Sequence, residues 1–220
     1  MRNSALDQNR YPDKESDLNK DLNLDKNTSS TFYAMVSRMK YINRWALMRN
    51  SYPENLSEHS LEVGMIAHAL ALISNKKFGN NLNAERAAVI GMYHDCTEII
   101  TGDMPTPIKY YNKDTKDAYK NVERQAAEEL LSLLPDYLRE EYVSVFFKDE
   151  DEEYIWKLVK AADRISAYIK CVEEEKTGNR EFGSAKAAVY EKLTQMDLPE
   201  VRVFFREFME GYKKTLDELR

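Results

Sequence analysis

From Thr31 onward, apolar residues return every three or four positions, the spacing that gives a helix one buried stripe. Phe32, Met35, Val36, Met39 and Ile42 begin the pattern behind Ser29, Ser30 and Thr31, all residue types that cap helix N-termini. The first helix is expected to fail near "RWALMRNSYPEN", where Pro53 forces an extended approach. Ser57 starts a second, "SEHSLEVGMIAHALALISNKK", closed by Gly79. A third runs from about Asn83 to Ile100. "KDAYKNVERQAAEELLSLL", stopped by Pro135, is a fourth, and "EEYIWKLVKAADRISAYIKCVEEEK" is a long fifth that ends before Gly178. "FGSAKAAVYEKLTQM" and "PEVRVFFREFMEGYKKTLDEL" supply two more. No stretch alternates with a period of two, so the predicted class is all-α, a single helical bundle over residues 31–220. Residues 1–30 are rich in Asn, Asp, Ser and Lys and too thinly apolar to offset their ordering entropy. They read as a disordered or loosely helical N-terminal extension.

Composition narrows the function. Apolar residues make up 43% and charged residues 32%, enough for a substantial core, while 7 Gly and 6 Pro are too few for a hairpin-rich fold. The net charge of −6, with both signs interleaved, argues against a nucleic-acid polymer or an anionic membrane as partner. It leaves room for one small anionic ligand in a local positive pocket. The 2 cysteines, Cys96 and Cys171, form no CxxC pair and no disulfide framework, which points to a reducing cytoplasm. There is no apolar run of ~18 residues to span a membrane and no apolar signal core at the N-terminus.

With only 3 histidines, each can be weighed. His59 and His68 are nine positions apart, which places them on opposite faces of one helix. His68, among small apolar residues in "AHAL", is expected to be structural and hydrogen-bonded. His94, Asp95 and Glu98 fall within one turn and are expected along one rim of the third helix. Imidazole plus carboxylate is a set that divalent transition metals favour; a capped helix end with a surface ion pair is the plain alternative. Asp163 sits at the edge of the fifth helix's apolar stripe, near Val159 and Ser166, where a carboxylate needs a partner.

His59, the pair His94-Asp95 and the lone Asp163 together resemble the H…HD…D signature of the HD-domain metallohydrolases. "INRWALMRN", "SEHSLEVGMIAHALA", "NAERAAVIGMYHDCTEIITGDMPTPIKYYN" and "VKAADRISAYIKCVEE" are similar to the bacterial HD-domain 5′-nucleotidases, which are deoxyribonucleoside 5′-monophosphatases. The similarity runs from about Phe32 to the C-terminus and thins after Gly183.

The resemblance implies that His59, His94, Asp95 and Asp163 hold one divalent metal, commonly Co2+ in vitro, with Mn2+, Zn2+ or Fe2+ as others. The absence of thiolates is at odds with a closed structural zinc site. Glu98 and Asp103 become the catalytic carboxyls, dividing water orientation and leaving-group protonation between them. Arg44 and Trp45 become a phosphate fork and a flat wall against sugar or base. Together with the metal ligands His59, Asp95 and Asp163, the loop residues Asp103, Met104, Pro105 and Thr106 complete the expected contacts to a small deoxyribonucleotide. A bare helix-ending turn, core packing of Trp45 and a surface ion pair of Arg44 are the alternatives for those segments.

Cys96 stands where the family often carries a smaller residue and is expected to be a packing group. Tyr110 and Tyr111 are candidates for the pocket wall, with ordinary packing as the alternative, and "KDEDEE" (148–153) reads as a solvated loop or cap. "VRVFFREFMEGY" suggests a homodimer surface, as the family implies, or core packing. Rival functions are another HD phosphohydrolase, acting on a triphosphate or an alarmone, and a catalytically idle HD-fold nucleotide sensor.

Overall fold

The computed structural model describes residues 29–220 apart from Tyr110, so the extension expected over residues 1–30 lies almost wholly outside the described residues. The chain begins with α1 (Phe32–Val36), continued by a 3-10 turn over Ser37–Tyr41, and then runs irregularly to Asn55. Asn55 accepts from the N–H groups of Ser57 and Glu58 while Glu58 reaches back to it, a capping box that starts α2 (Leu56–Phe78) one residue before the expected Ser57. Next come α3 (Ala84–Tyr93), the short α4 (Glu98–Thr101) and α5 (Thr106–Lys109), then α6 (Lys113–Ser132). After them follow α7 (Asp136–Phe146), α8 (Glu153–Lys176), α9 (Gly183–Gln195) and α10 (Pro199–Phe208). Among the described residues the only β feature is one isolated bridge, Asn43 with Asn55. No helix among them is long and apolar enough to cross a membrane.

α2 is the centre of the bundle and packs on both α3 and α8. Val63, Ile66, Leu70, Ile90, Leu158, Ile165 and Ile169 form the main core, each worth about 1.5–3 kcal/mol of burial. The crossing of α2 and α3 is closest at two glycines: a Cβ on Gly91 would stand 2.9 Å from the Gly64 Cα. That approach sets the distance between the N-terminal end of α2, which carries His59, and the C-terminal end of α3, which His94 follows. A second cluster, Phe32, Leu56, Cys96, Leu130 and Leu134, ties α1 and the α3–α4 turn to α6. Cys96 is fully buried there, the packing role expected of it.

Four expectations change. The third helix does not reach Ile100. α7 adds a helix where only the stop at Pro135 was anticipated. The last segment breaks after Phe208 into 3-10 turns at Met209–Lys213 and Leu216–Leu219. Its Val201, Val203, Phe204 and Met209 are buried within the chain, so core packing accounts for them. In the acidic stretch, Glu152 is not merely solvated: it takes Arg86 Nε and Nη2 at 2.9 Å each.

Candidate active site

α3 stops at Tyr93 because the chain tightens there. His94 Nδ1 bonds the Gly91 carbonyl at 2.7 Å, Cys96 N bonds Tyr93 O at 2.9 Å and Glu98 N bonds Asp95 O at 3.0 Å. These i to i−3 bonds replace the helical ladder, and the expected single rim becomes a turn. The turn swings Asp95 inward, toward His59 on the first turn of α2 and Asp163 in the middle of α8.

The four groups meet. The His59 and His94 ring centroids are 5.3 Å apart. Asp95 Oδ2 lies 3.5 Å from His59 Nε2 and 3.1 Å from His94 Nε2. Asp163 Oδ1 lies 3.3 Å and 3.9 Å from the same two nitrogens. The ligand atoms of His59, His94 and Asp95 are all within 4.8 Å of one another.

Hydrogen bonding assigns the tautomers. A carbonyl only accepts, so His94 Nδ1 carries the hydrogen it gives to Gly91. Ser166 Oγ spends its one hydrogen on Glu62 Oε2 at 2.6 Å, so at 3.0 Å it accepts from His59 Nδ1. Both Nε2 atoms therefore turn toward the carboxylates, buried and without a hydrogen-bond partner. What this arrangement lacks is positive charge. Burial and Arg44 press the His59 pKa down, but Asp163, Asp95 and Glu54 overcome both and lift it to about 10. Burial would raise the Asp95 and Asp163 carboxyls, yet His94 and His59 hold both below the usual carboxylate range. In the metal-free protein a proton on His59 stands where a cation would fit. Two oriented imidazoles and two carboxylates suit a divalent transition ion.

Around this cluster, Arg44 Nη1 reaches Asp95 Oδ2 at 3.1 Å while its Nε is buried without a hydrogen-bond partner. Trp45 is half-buried beside Phe182, ring centroids 5.2 Å apart, and its backbone is left-handed at φ 59. Such a conformation costs about 1–3 kcal/mol in a bulky residue. Glu54 ties the pair together: it accepts from Trp45 Nε1 at 2.7 Å and lies 3.6 Å from Arg44 Nε and 3.5 Å from His59 Nδ1. Nothing in the sequence marks Glu54 except its place between Pro53 and the Asn55 cap.

Glu98 opens α4, only 6% exposed, with Oε2 buried and unpartnered. Burial, then Asp95 and Asp103, push its pKa up to about 9. Gly102, at φ 72, turns the chain after α4 so that Asp103 comes back toward the cluster. Burial raises the Asp103 pKa and Arg44 opposes it. Met104 and Pro105 are half-buried, and Thr106 is exposed at the start of α5. Tyr110 lies outside the described residues; Tyr111 is 80% exposed and is not among the walls of the cavity beside His94. His68 is half-buried, and no hydrogen bond among the described residues involves its ring, so the bonded role expected for it is not realised. A cavity of about 320 Å³ adjoins His94, Asp95 and Glu98, walled by Tyr93, Phe146 and Trp156. Arg44, Trp45, Asp103 and Asp163 are not among its walls.

The fold is that of the HD-domain phosphohydrolases. One from Listeria innocua matches with a TM-score of 0.72 at 19% identity, covering 83% of this chain and 88% of that one. A cyanophage S-2L HD phosphohydrolase, solved with dA and one catalytic Zn2+ ion, matches with a TM-score of 0.57 at 22% identity. It covers 83% of this chain and 96% of its own. The sequence narrows the assignment. The 5′-deoxynucleotidase YfbR-like family model matches residues 31–212. A 5′-deoxynucleotidase of Vibrio parahaemolyticus is 47% identical over 190 residues, 86% of this chain and 98% of that protein. The 5′-deoxynucleotidase YfbR of Salmonella newport is 46% identical over 190 residues, 86% of this chain and 96% of its own. The chain belongs to the YfbR-like 5′-deoxynucleotidase family.

Proposed function

We propose that this protein is a metal-dependent phosphomonoesterase that hydrolyses deoxyribonucleoside 5′-monophosphates to deoxynucleoside and phosphate. The observation that carries the reading is the pair of buried imidazole Nε2 atoms, each oriented by a bonded Nδ1–H and each facing the Asp95 and Asp163 carboxylates. His59, His94, Asp95 and Asp163 would hold one divalent ion, with Co2+ the form expected in vitro and Mn2+, Zn2+ or Fe2+ as alternatives. Such an ion, when bound, polarises a phosphoryl oxygen and makes water a nucleophile near neutral pH.

The chain's own residues do the rest. Arg44, its Nε still unbonded, turns its planar fork to the phosphate oxygens. Trp45 offers a flat wall that is indifferent to base identity. Met104, Pro105 and Thr106, on the loop that follows Asp103, would complete the contacts to the nucleotide. Glu98 and Asp103 share the two proton tasks, orienting the attacking water and protonating the departing 5′-oxygen. The buried, unbonded Glu98 Oε2 supports its place in that pair. The domain spans 31–220 behind the 1–30 extension. Free, buried Cys96 and Cys171 suit a reducing cytoplasm, and the exposed Leu61, Met65 and Leu72 on one side of α2 offer a face for a homodimer.

One observation favours the polyphosphate reading. Burial first, then Arg164, lower the Lys160 pKa, with Asp163 opposing them and Lys116 and Lys120 adding to them, so cations besides Arg44 and Lys109 surround Lys160, one turn before Asp163 on α8. Formation of nucleoside or nucleotide product from dAMP, AMP and dATP with one metal, read together with the phosphate or polyphosphate released, decides between them. dAMP is expected to turn over fastest; faster turnover of dATP would overturn the monophosphate assignment. Glu98→Ala is expected to lose about 100-fold or more in kcat while still binding dAMP.

A further inference from the structure

The loop that carries Arg44 and Trp45 has no regular structure, yet it is closed at its base and pinned at its far end. At the base, Asn43 bridges Asn55, and Arg44 N donates to Glu54 O at 2.9 Å. Inside it, Met48 N at 2.9 Å and Asn50 Nδ2 at 3.3 Å both donate to the Trp45 carbonyl. A bulky residue stays in left-handed backbone only where its surroundings over-determine it. The far pin is Glu174, a carboxylate 1% exposed near the end of α8. Its Oε2 accepts from Ser51 N and from Asn179 Nδ2, both at 2.8 Å, and its Oε1 accepts from Tyr52 N at 3.3 Å. Lys170, one turn back on α8, pairs with Oε1 and also donates to the Tyr52 carbonyl. The same ammonium sits 5.7 Å over the Phe182 ring, which packs against Trp45. The clamp therefore meets the loop through its backbone and Trp45 through Phe182.

We propose that Glu174, with Lys170, is a positioning residue for substrate binding: it holds the 44–54 loop so that Arg44 and Trp45 face the nucleotide. The inference rests on the substrate-binding reading of those two residues. A buried ion pair is a poor source of net stability, so a pair kept beneath a ligand loop fits a role in setting geometry.

The test uses the full-length, metal-loaded protein and dAMP. Glu174→Ala is expected to raise KM about ten-fold with kcat within about two-fold, because the loop contacts ground and transition states alike. Glu174→Gln keeps one carbonyl oxygen, which in the Oε1 place accepts from Ser51 N at 3.1 Å and Tyr52 N at 3.3 Å, but it loses the charge and the acceptor for Asn179 Nδ2. It should bring KM back to within about three-fold of the parent while melting at a lower temperature. An unchanged KM in Glu174→Ala, or a fall in kcat alone, overturns the proposal. Arg44→Ala separates the two readings. If it raises KM and Glu174→Ala does not, only the positioning role fails; if neither does, the loop is not a substrate contact at all. Should Glu174→Ala fail to fold, Asn179→Ala removes one donor to Glu174 and the 2.7 Å bond to the Arg49 carbonyl. A KM rise of about three-fold is then expected, and an unmoved KM overturns the role.

Discussion

Ser166 is fully buried, and its hydroxyl has one hydrogen to give. By giving it to Glu62 and accepting from His59 Nδ1, it aims Nε2 into the cluster. Outer partners of this kind typically contribute about 10–100-fold to metal affinity. Ser166→Ala should weaken Co2+ binding by that factor, as measured by equilibrium dialysis, with the melting temperature of the metal-free protein little changed. Undiminished affinity would remove Ser166 from the site. His59, His94, Asp95 and Asp163 were legible in the sequence because residue type and order mark them. Ser166, Glu54 and Glu174 were not. Ser166 meets His59 across 107 positions and Glu174 meets Ser51 across 123, and nothing local betrays contacts that only the fold creates.

At the scale of elements, the α2–α3 crossing holds the two histidines together. A methyl on Gly91 would press on Gly64 backbone atoms at 2.9 Å and 3.0 Å, which no side-chain rotation relieves. Gly91→Ala should destabilise the fold by about 1–3 kcal/mol in denaturant titration and weaken the metal site with it. A stability within ~0.5 kcal/mol of the parent would mean that the helices part without cost. The order and most boundaries of the long helices were readable because each buries a regular stripe. α7 was missed because Val145 is its only fully buried residue, so its stripe is faint. The break at His94 was missed because periodicity counts apolar positions and cannot see a histidine ring capturing the Gly91 carbonyl.

For the whole molecule, charge is distributed so that acid should loosen one particular join. Burial alone would raise the Glu174 pKa, but Lys170, Asn179 and the Ser51 N–H outweigh it and take it down to about 2. A carboxylate whose pKa falls on folding adds stability that is complete above its unfolded value near 4.3 and fades as pH drops toward the folded one. Stability should therefore fall by about 2 kcal/mol from this group between pH 5 and pH 2, and Glu174→Gln should flatten that part of the profile. An unchanged slope would contradict the assignment. We propose one cation, held by four side chains drawn from α2, the turn after α3 and α8. Stripping the protein with a chelator, adding Co2+ back and following both bound metal and phosphate release from dAMP tests it directly. Turnover should vanish on stripping and return in proportion to bound metal, saturating at about one ion per chain. Full turnover in the stripped protein, or saturation only at two ions, would contradict it.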